Sequence, residues 1–219
     1  ENLGKGEFTD FLSVSFSATD YIGHQFGAQS IEVHDTYIRL DKTIGEFIDY
    51  LDKQIGRERY ILFLSSDHGA SMPRSYLMDK GIANGYIDQV FYKEKIDSIC
   101  DAHLGNNHWI DKVMNLNVYF NKKWLTVKPE IQEKTLEEII GWLKHQKGIK
   151  TVLNANKITT GTDSLNSMAI AGAYLSRSGE LILVEEKNWT SYGDRGSTHG
   201  SPYVYDTHVP FILFGNGIK

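Results

Sequence analysis

Residues Tyr60–Gly69 read YILFLSSDHG: five apolar residues in a row, then two serines, an aspartate, a histidine and a glycine. A short apolar run bounded by polar residues predicts a buried strand, and here the chemistry sits at its C-terminal end. Upstream, between residues 30 and 55, Val33, Tyr37, Leu40, Ile44, Phe47, Leu51 and Ile55 recur at steps of three and four. That period predicts an amphipathic helix, with Gly56 as its stop signal. Further back, Asp10–Phe16 is another short apolar run and reads as a second buried strand. Strand, helix, strand in this order predicts a βαβ unit, with parallel neighbours in an α/β sheet.

Downstream the pattern changes. Tyr86–His103 has mixed helical character, Asn115–Asn121 (NLNVYFN) alternates like a strand, and Glu130–Lys147 carries Ile131, Leu136, Ile139, Ile140 and Leu143 at helical spacing. Short strands are expected at Thr151–Leu153, Met168–Leu175 and Glu180–Val184. The stretch SYGDRGSTHGSPYVYDTH, residues 191–208, is rich in Gly, Ser, Asp and Tyr and reads as loop. It leads into VPFILFG, expected to be a final core strand. The expected organisation is a sheet-forming part over residues 1–75, an inserted cap-like α+β region over 76–190, and a return to the sheet over 191–219.

Composition narrows the class of function. With 219 residues, 41% hydrophobic and 23% charged, the chain reads as a soluble globular domain with a sizeable core. Twenty-three basic against 28 acidic residues give a net charge of −5, which argues against a nucleic-acid binder. Cys100 is the only cysteine, so an internal disulfide and a multi-thiolate metal site are excluded. No apolar run approaches the roughly 18 residues of a membrane-spanning helix, and no segment reads as a signal peptide.

Three clusters share one structural address beside the strands. In SFSATDYIGHQFG, Ser15–Gly27, Asp20 and His24 are four apart, so one helical turn would put both on one face. Asp67 and His68 follow the strand of YILFLSSDHG, and His199 precedes the last strand. In open parallel sheets, ligands bind beyond the carboxyl ends of the strands, so distant clusters can converge there. Imidazole nitrogen and carboxylate oxygen suit zinc, and Asp20, His24 and His199 would supply three ligands and leave a fourth position open. Asp67 and His68 would supply two ligands to a second metal, which needs another from elsewhere. The bland alternatives are a helix-face coincidence for Asp20 and His24, a turn with Gly69 at positive φ for Asp67-His68-Gly69, and a backbone-bonded loop histidine for His199. His34, His103, His108 and His145 have no carboxylate at a telling spacing and are expected to be surface or structural. His208 reads as a residue that supports the ligands or as a packing residue, rather than as a ligand, and Cys100 as an ordinary helix residue.

Together these residues resemble the alkaline phosphatase superfamily, in its branch of type I phosphodiesterases, nucleotide pyrophosphatases and zinc-dependent phosphate-irrepressible alkaline phosphatases. The matching stretches are SFSATDYIGHQFG, the helix containing DTYIRLD, FLSSDHGA, and GSTHGSPYVYDTHVPFILFG. The resemblance implies an α/β/α sandwich with a mainly parallel sheet, and a hydrolase acting on small phosphate esters by two-metal phosphoryl transfer through a covalent phospho-enzyme. It implies two zinc ions, one held by Asp20, His24 and His199, the other by Asp67 and His68. It also implies export to the periplasm.

The family's Thr or Ser nucleophile and its remaining metal-binding aspartate have no counterpart here, and Thr19 and Ser66 do not stand at the nucleophile's place. The chain is therefore expected to be a C-terminal part of a longer enzyme, inactive alone, with a bared strand edge that favours self-association. A sulfatase or phosphoglycerate mutase of the same superfamily, or a non-catalytic metal-binding module, are the alternatives.

Overall fold

The computed structural model describes residues 3–157, 164–174 and 176–218. In chain order the elements are α1 (Ala18–Phe26), α2 (Ile31–Gln54), β1 (Ile61–Ser65), α3 (Arg74–Asp79), β2 (Gly85–Tyr86), α4 (Gln89–Leu104), β3 (Ile110–Met114), β4 (Asn117–Phe120), α5 (Pro129–Lys144), β5 (Ile149–Asn154), α6 (Ser164–Gly172), β6 (Leu181–Glu185), β7 (Trp189–Thr190), α7 (Val204–Thr207) and β8 (Phe211–Gly215). They divide into two compact units. One comprises Glu1–Tyr76, Asp194–His199 and Tyr205–Lys219; the other comprises Leu77–Gly193 and Gly200–Val204.

In the first unit, α2 begins where the side chain of Ser30 accepts the Val33 amide at 3.1 Å, filling one of the orphan donors of the first turn. It runs over the predicted helix with the predicted period. Among the described residues of this unit, however, Val33 and Pro73 are the only buried apolar side chains. β1 pairs antiparallel with β8, from Ile61 opposite Gly215 to Ser65 opposite Phe211. Opposed residues share a face, so Ile61, Phe63, Phe211 and Leu213 line one side, and they are 44–67% exposed.

The second unit holds the packed core. A four-stranded antiparallel sheet, ordered β3-β4-β6-β5, carries Ile110, Val118 and Leu181 into a cluster with Ile96, Cys100, Ile139 and Leu143 of α4 and α5. α4 starts at Asp88, whose Oδ1 accepts the amides of Val90 and Phe91 at 3.0 Å each. α5 opens on Pro129, which is preset for a first helical turn. Burial, with Asp97 and Asp101 nearby, pushes the Cys100 thiol up to about 12, so it packs as an inert apolar residue. The indole of Trp189 rests on two glycines: a Cβ at Gly85 or Gly148 would overlap its ring, and Gly148 also has φ +87°.

Several expectations change. Asp10–Phe16 is not a strand; Phe11 and Leu12 are exposed, and no described strand lies alongside to complete a backbone ladder. β1 is thus not half of a parallel βαβ pair, and its partner β8 is a true strand with an exposed rather than core face. The only parallel pairing among the described strands is β2 with β7. Met168–Gly172, expected in a strand, belongs to helix α6; a short apolar run cannot distinguish the two by period, and Ala169 and Ala171 favour helix. Leu175, the end of that expected strand, lies outside the described residues. The 191–208 loop contains one turn of helix, α7. His103 does have a carboxylate partner, Glu138 at 2.7 Å, because the packing of α5 on α4 brings together residues 35 positions apart.

The core of the second unit can be tested directly. Ile139→Ala, at a fully buried position, is expected to cost about 2–5 kcal/mol of stability. Gly148→Ala is expected to cost about 1–3 kcal/mol, from its positive φ and overlap with Trp189. Denaturant unfolding followed by tryptophan fluorescence measures both.

Candidate metal centre

α1 places Asp20 in its first turn and His24 in its last, one above the other on the same face, with His24 Nε2 3.4 Å from Asp20 Oδ1. The carboxylate at the helix start also faces the positive end of the peptide dipoles. The segment 194–199 has no regular structure, and hydrogen bonds place it on α1. The Ser197 amide donates to the Gly23 carbonyl at 3.0 Å. The Ser197 carbonyl accepts from His24 Nδ1 at 2.8 Å, and its Oγ accepts the Ala28 amide at 2.8 Å. Ser197 is 2% exposed, so these bonds are shielded from water. On the other side of the segment, Ser71 donates its amide to the Thr198 carbonyl at 2.8 Å and its Oγ accepts the Thr198 amide at 3.2 Å. Arg74 Nη1 meets Asp194 Oδ1 at 2.6 Å.

This arrangement brings His199 beside α1, with its Nε2 3.7 Å from Asp20 Oδ1. Among the described residues, Asp20, His24 and His199 form a group whose ligand-type atoms all lie within 4.8 Å of one another. His68 adjoins it. Its Nε2 is 3.9 Å from Asp20 Oδ1 and 3.7 Å from Asp67 Oδ2, and its ring stacks on that of His199 with centroids 3.4 Å apart. Asp67 points outward, 89% exposed at its side chain, and its Oδ1 accepts the His68 amide at 3.1 Å rather than capping a later segment. The five residues nominated from sequence thus occupy one neighbourhood, with Asp67 at its rim.

The histidine tautomers follow from their partners. A carbonyl oxygen only accepts, so Nδ1 of His24, facing Ser197 O, carries the hydrogen; so does Nδ1 of His68, facing Gly69 O at 2.8 Å. In both rings Nε2 is the nitrogen turned toward Asp20 Oδ1, at 3.4 Å for His24 and 3.9 Å for His68. Backbone bonds of this kind orient metal-binding histidines and fix their tautomer. The His199 pKa is lowered, first by burial and then by His68, against the opposing pull of Asp20. A neutral imidazole is the form that binds a metal. One carboxylate and imidazoles whose Nε2 atoms face it are a donor set that fits zinc.

Sequence reading missed Ser197 altogether. Its role rests on three partners that lie 169 to 174 positions away, and a serine in a Gly/Ser-rich loop carries no local sign of it.

The chain matches the type I phosphodiesterase / nucleotide pyrophosphatase family over residues 2–208. It is 35% identical over 225 residues to a protein of Myroides odoratus named calcium-transporting ATPase, covering 100% of this chain and 41% of that one. It is 33% identical over 220 residues to alkaline phosphatase PafA of Elizabethkingia meningoseptica, covering 99% and 40%. The crystal structure of wild-type PafA superimposes with a TM-score of 0.89 at 32% identity, covering 99% of this chain and 42% of that one. The chain therefore spans about two fifths of the length of these relatives. A match over nearly the whole sequence, with an alkaline-phosphatase-like α/β fold beneath it, makes this chain a member of the type I phosphodiesterase / nucleotide pyrophosphatase family, within the alkaline phosphatase superfamily.

Proposed function

We propose that the chain carries the zinc-binding part of a phosphoric ester hydrolase, an alkaline phosphatase or phosphodiesterase whose Thr or Ser nucleophile lies outside these 219 residues. The observation that carries this reading is the position of Asp20 Oδ1, 3.4 to 3.9 Å from the Nε2 atoms of His24, His68 and His199. Asp20, His24 and His199 would hold one zinc. Asp67 and His68 would contribute to a second, completed by a carboxylate from outside the chain. Bound zinc supplies a Lewis acid that activates an oxygen nucleophile or steadies a leaving oxygen at neutral pH.

The chain's own residues prepare that chemistry. Asp20 is the shared anion among the imidazoles. The Ser197 and Gly69 carbonyls hold two rings with Nε2 turned to the site, and burial, then His68, lowers the His199 pKa. The substrate class is a small phosphate ester, and the chain by itself is inactive for want of a nucleophile. By family resemblance the full-length enzyme is exported to the periplasm. The bare face of Ile61, Phe63, Phe211 and Leu213, together with the open edges of a two-stranded sheet, supports self-association of the isolated chain.

Three outcomes are expected. In calorimetric titration the chain binds zinc with a tight first equivalent. Asp20→Ala and His199→Ala each abolish that equivalent, whereas His34→Ala leaves it intact; equal binding by all four proteins overturns the reading. Ser197→Ala strands the Ala28 amide and costs about 1–3 kcal/mol in denaturant unfolding, with His24 still held by the backbone. Light scattering of the isolated chain shows concentration-dependent association, and an aryl phosphate is not hydrolysed; metal-dependent, chelator-sensitive turnover by the isolated chain contradicts the assignment of the nucleophile.

A further inference from the structure

Gly69 has no conformational reason to be glycine. It is absent from the residues with left-handed φ, so the turn reading based on a positive angle does not apply. What it has is a close neighbour. Its amide donates to the Asp206 carbonyl at 2.7 Å. A Cβ at position 69 would overlap the Tyr205 carbonyl oxygen, and would lie 3.0 Å from the Tyr205 carbonyl carbon and 3.4 Å from Asp206 Cα. All three are backbone atoms, which cannot swing aside as a side chain can.

The same residue orients an imidazole. The Gly69 carbonyl accepts from His68 Nδ1 at 2.8 Å, while Ser66 Oγ donates to the His68 carbonyl. The peptide units flanking Gly69 are therefore fixed on one side by Tyr205–Asp206 and on the other by the ring they orient. Asp206 is buried at 4% exposure, so the docking partner is itself set in the interior.

We infer that Gly69 is a positioning residue for His68: the missing side chain lets the Tyr205–Asp206 backbone close onto it, and that closure holds the His68 ring stacked on His199 with Nε2 toward Asp20. This rests on the reading of Asp20 and its histidines as metal-facing groups, but its geometry is present without a metal. A methyl group at 69 must separate the two backbones. That breaks the Gly69–Asp206 bond and displaces the carbonyl which selects the His68 tautomer.

The test is imidazole 15N NMR on the metal-free 219-residue chain, labelled at histidine, at a pH where imidazole is neutral. In the unsubstituted chain, Nδ1 of both His24 and His68 is expected at the protonated, pyrrole-like position. In Gly69→Ala, His68 Nδ1 alone moves toward the pyridine-like position, because free imidazole favours the Nε2–H form, while His24 stays in place on the Ser197 carbonyl. An unchanged His68 signal in folded Gly69→Ala overturns the inference, as does a parallel change at His24, which would mark a general loss of structure. If Gly69→Ala does not fold, hydrogen exchange in the unsubstituted chain decides. A protected Gly69 amide agrees with the closure, and one exchanging at its unprotected rate overturns it. A separate zinc titration of the unsubstituted chain keeps the two readings apart: no zinc binding with the expected His68 shift sinks the metal assignment and leaves the positioning role standing.

Discussion

The site depends on one short strip of irregular chain, Asp194–His199, being docked against α1. A segment without helix or ladder must find partners for its amides and carbonyls elsewhere, or leave them stranded out of water. Ser197 supplies the critical set: its amide, carbonyl and hydroxyl each engage α1 or the turn beyond it. The bond to His24 Nδ1 serves twice, since it satisfies a carbonyl of the strip and selects the tautomer of a histidine that faces Asp20. His199, two residues on, arrives at the site because Ser197 is anchored there.

The two units are stabilised in different ways. The second buries a continuous apolar cluster between a four-stranded sheet and the helices α4 and α5, with Trp189 resting on two glycines. The first has scarcely any buried apolar side chains, and hydrogen bonds around the carboxylate and histidine cluster hold its irregular segment in place. Its helix α2 carries an apolar stripe that is mostly half-buried, and its two strands present a row of large apolar side chains that remain exposed. Such surfaces gain about 25 cal/mol for each Å² of apolar area that becomes covered. A unit so short of core therefore stands to gain most of its stability from whatever comes to lie on those faces.

The long periodic elements were readable because their pattern is local. α2 and α5 follow steps of three and four, α4 lies in a stretch of mixed helical character, and β4, β5 and β6 fall where short alternating or apolar runs stand between turn residues. The errors came where type or pairing depends on a partner. Asp10–Phe16 has the composition of a strand and no ladder, β1 has an antiparallel neighbour 150 positions away in Phe211–Gly215, and Met168–Gly172 is an apolar run too short for its period to separate helix from strand. The candidate site residues stood out for a similar reason. Asp20 and His24 sit one helical turn apart, and a carboxylate and histidine behind an apolar strand form an uncommon local pattern.

What the sequence by itself determined was chemistry and local form: which residues carry metal-ligating side-chain types, which stretches have a helical period, and which family the motifs resemble. The tertiary structure decided convergence and orientation. It brought His199 to Asp20 across 179 positions of chain, to 3.7 Å, and turned Nε2 of His24 and His68 inward through the carbonyls of Ser197 and Gly69. It also showed that Gly69 is glycine for the closeness of another backbone rather than for its own angle. Spacing along a chain constrains residues within a turn or a strand, whereas a ring's tautomer and the room for a single methyl group depend on atoms that only folding brings near.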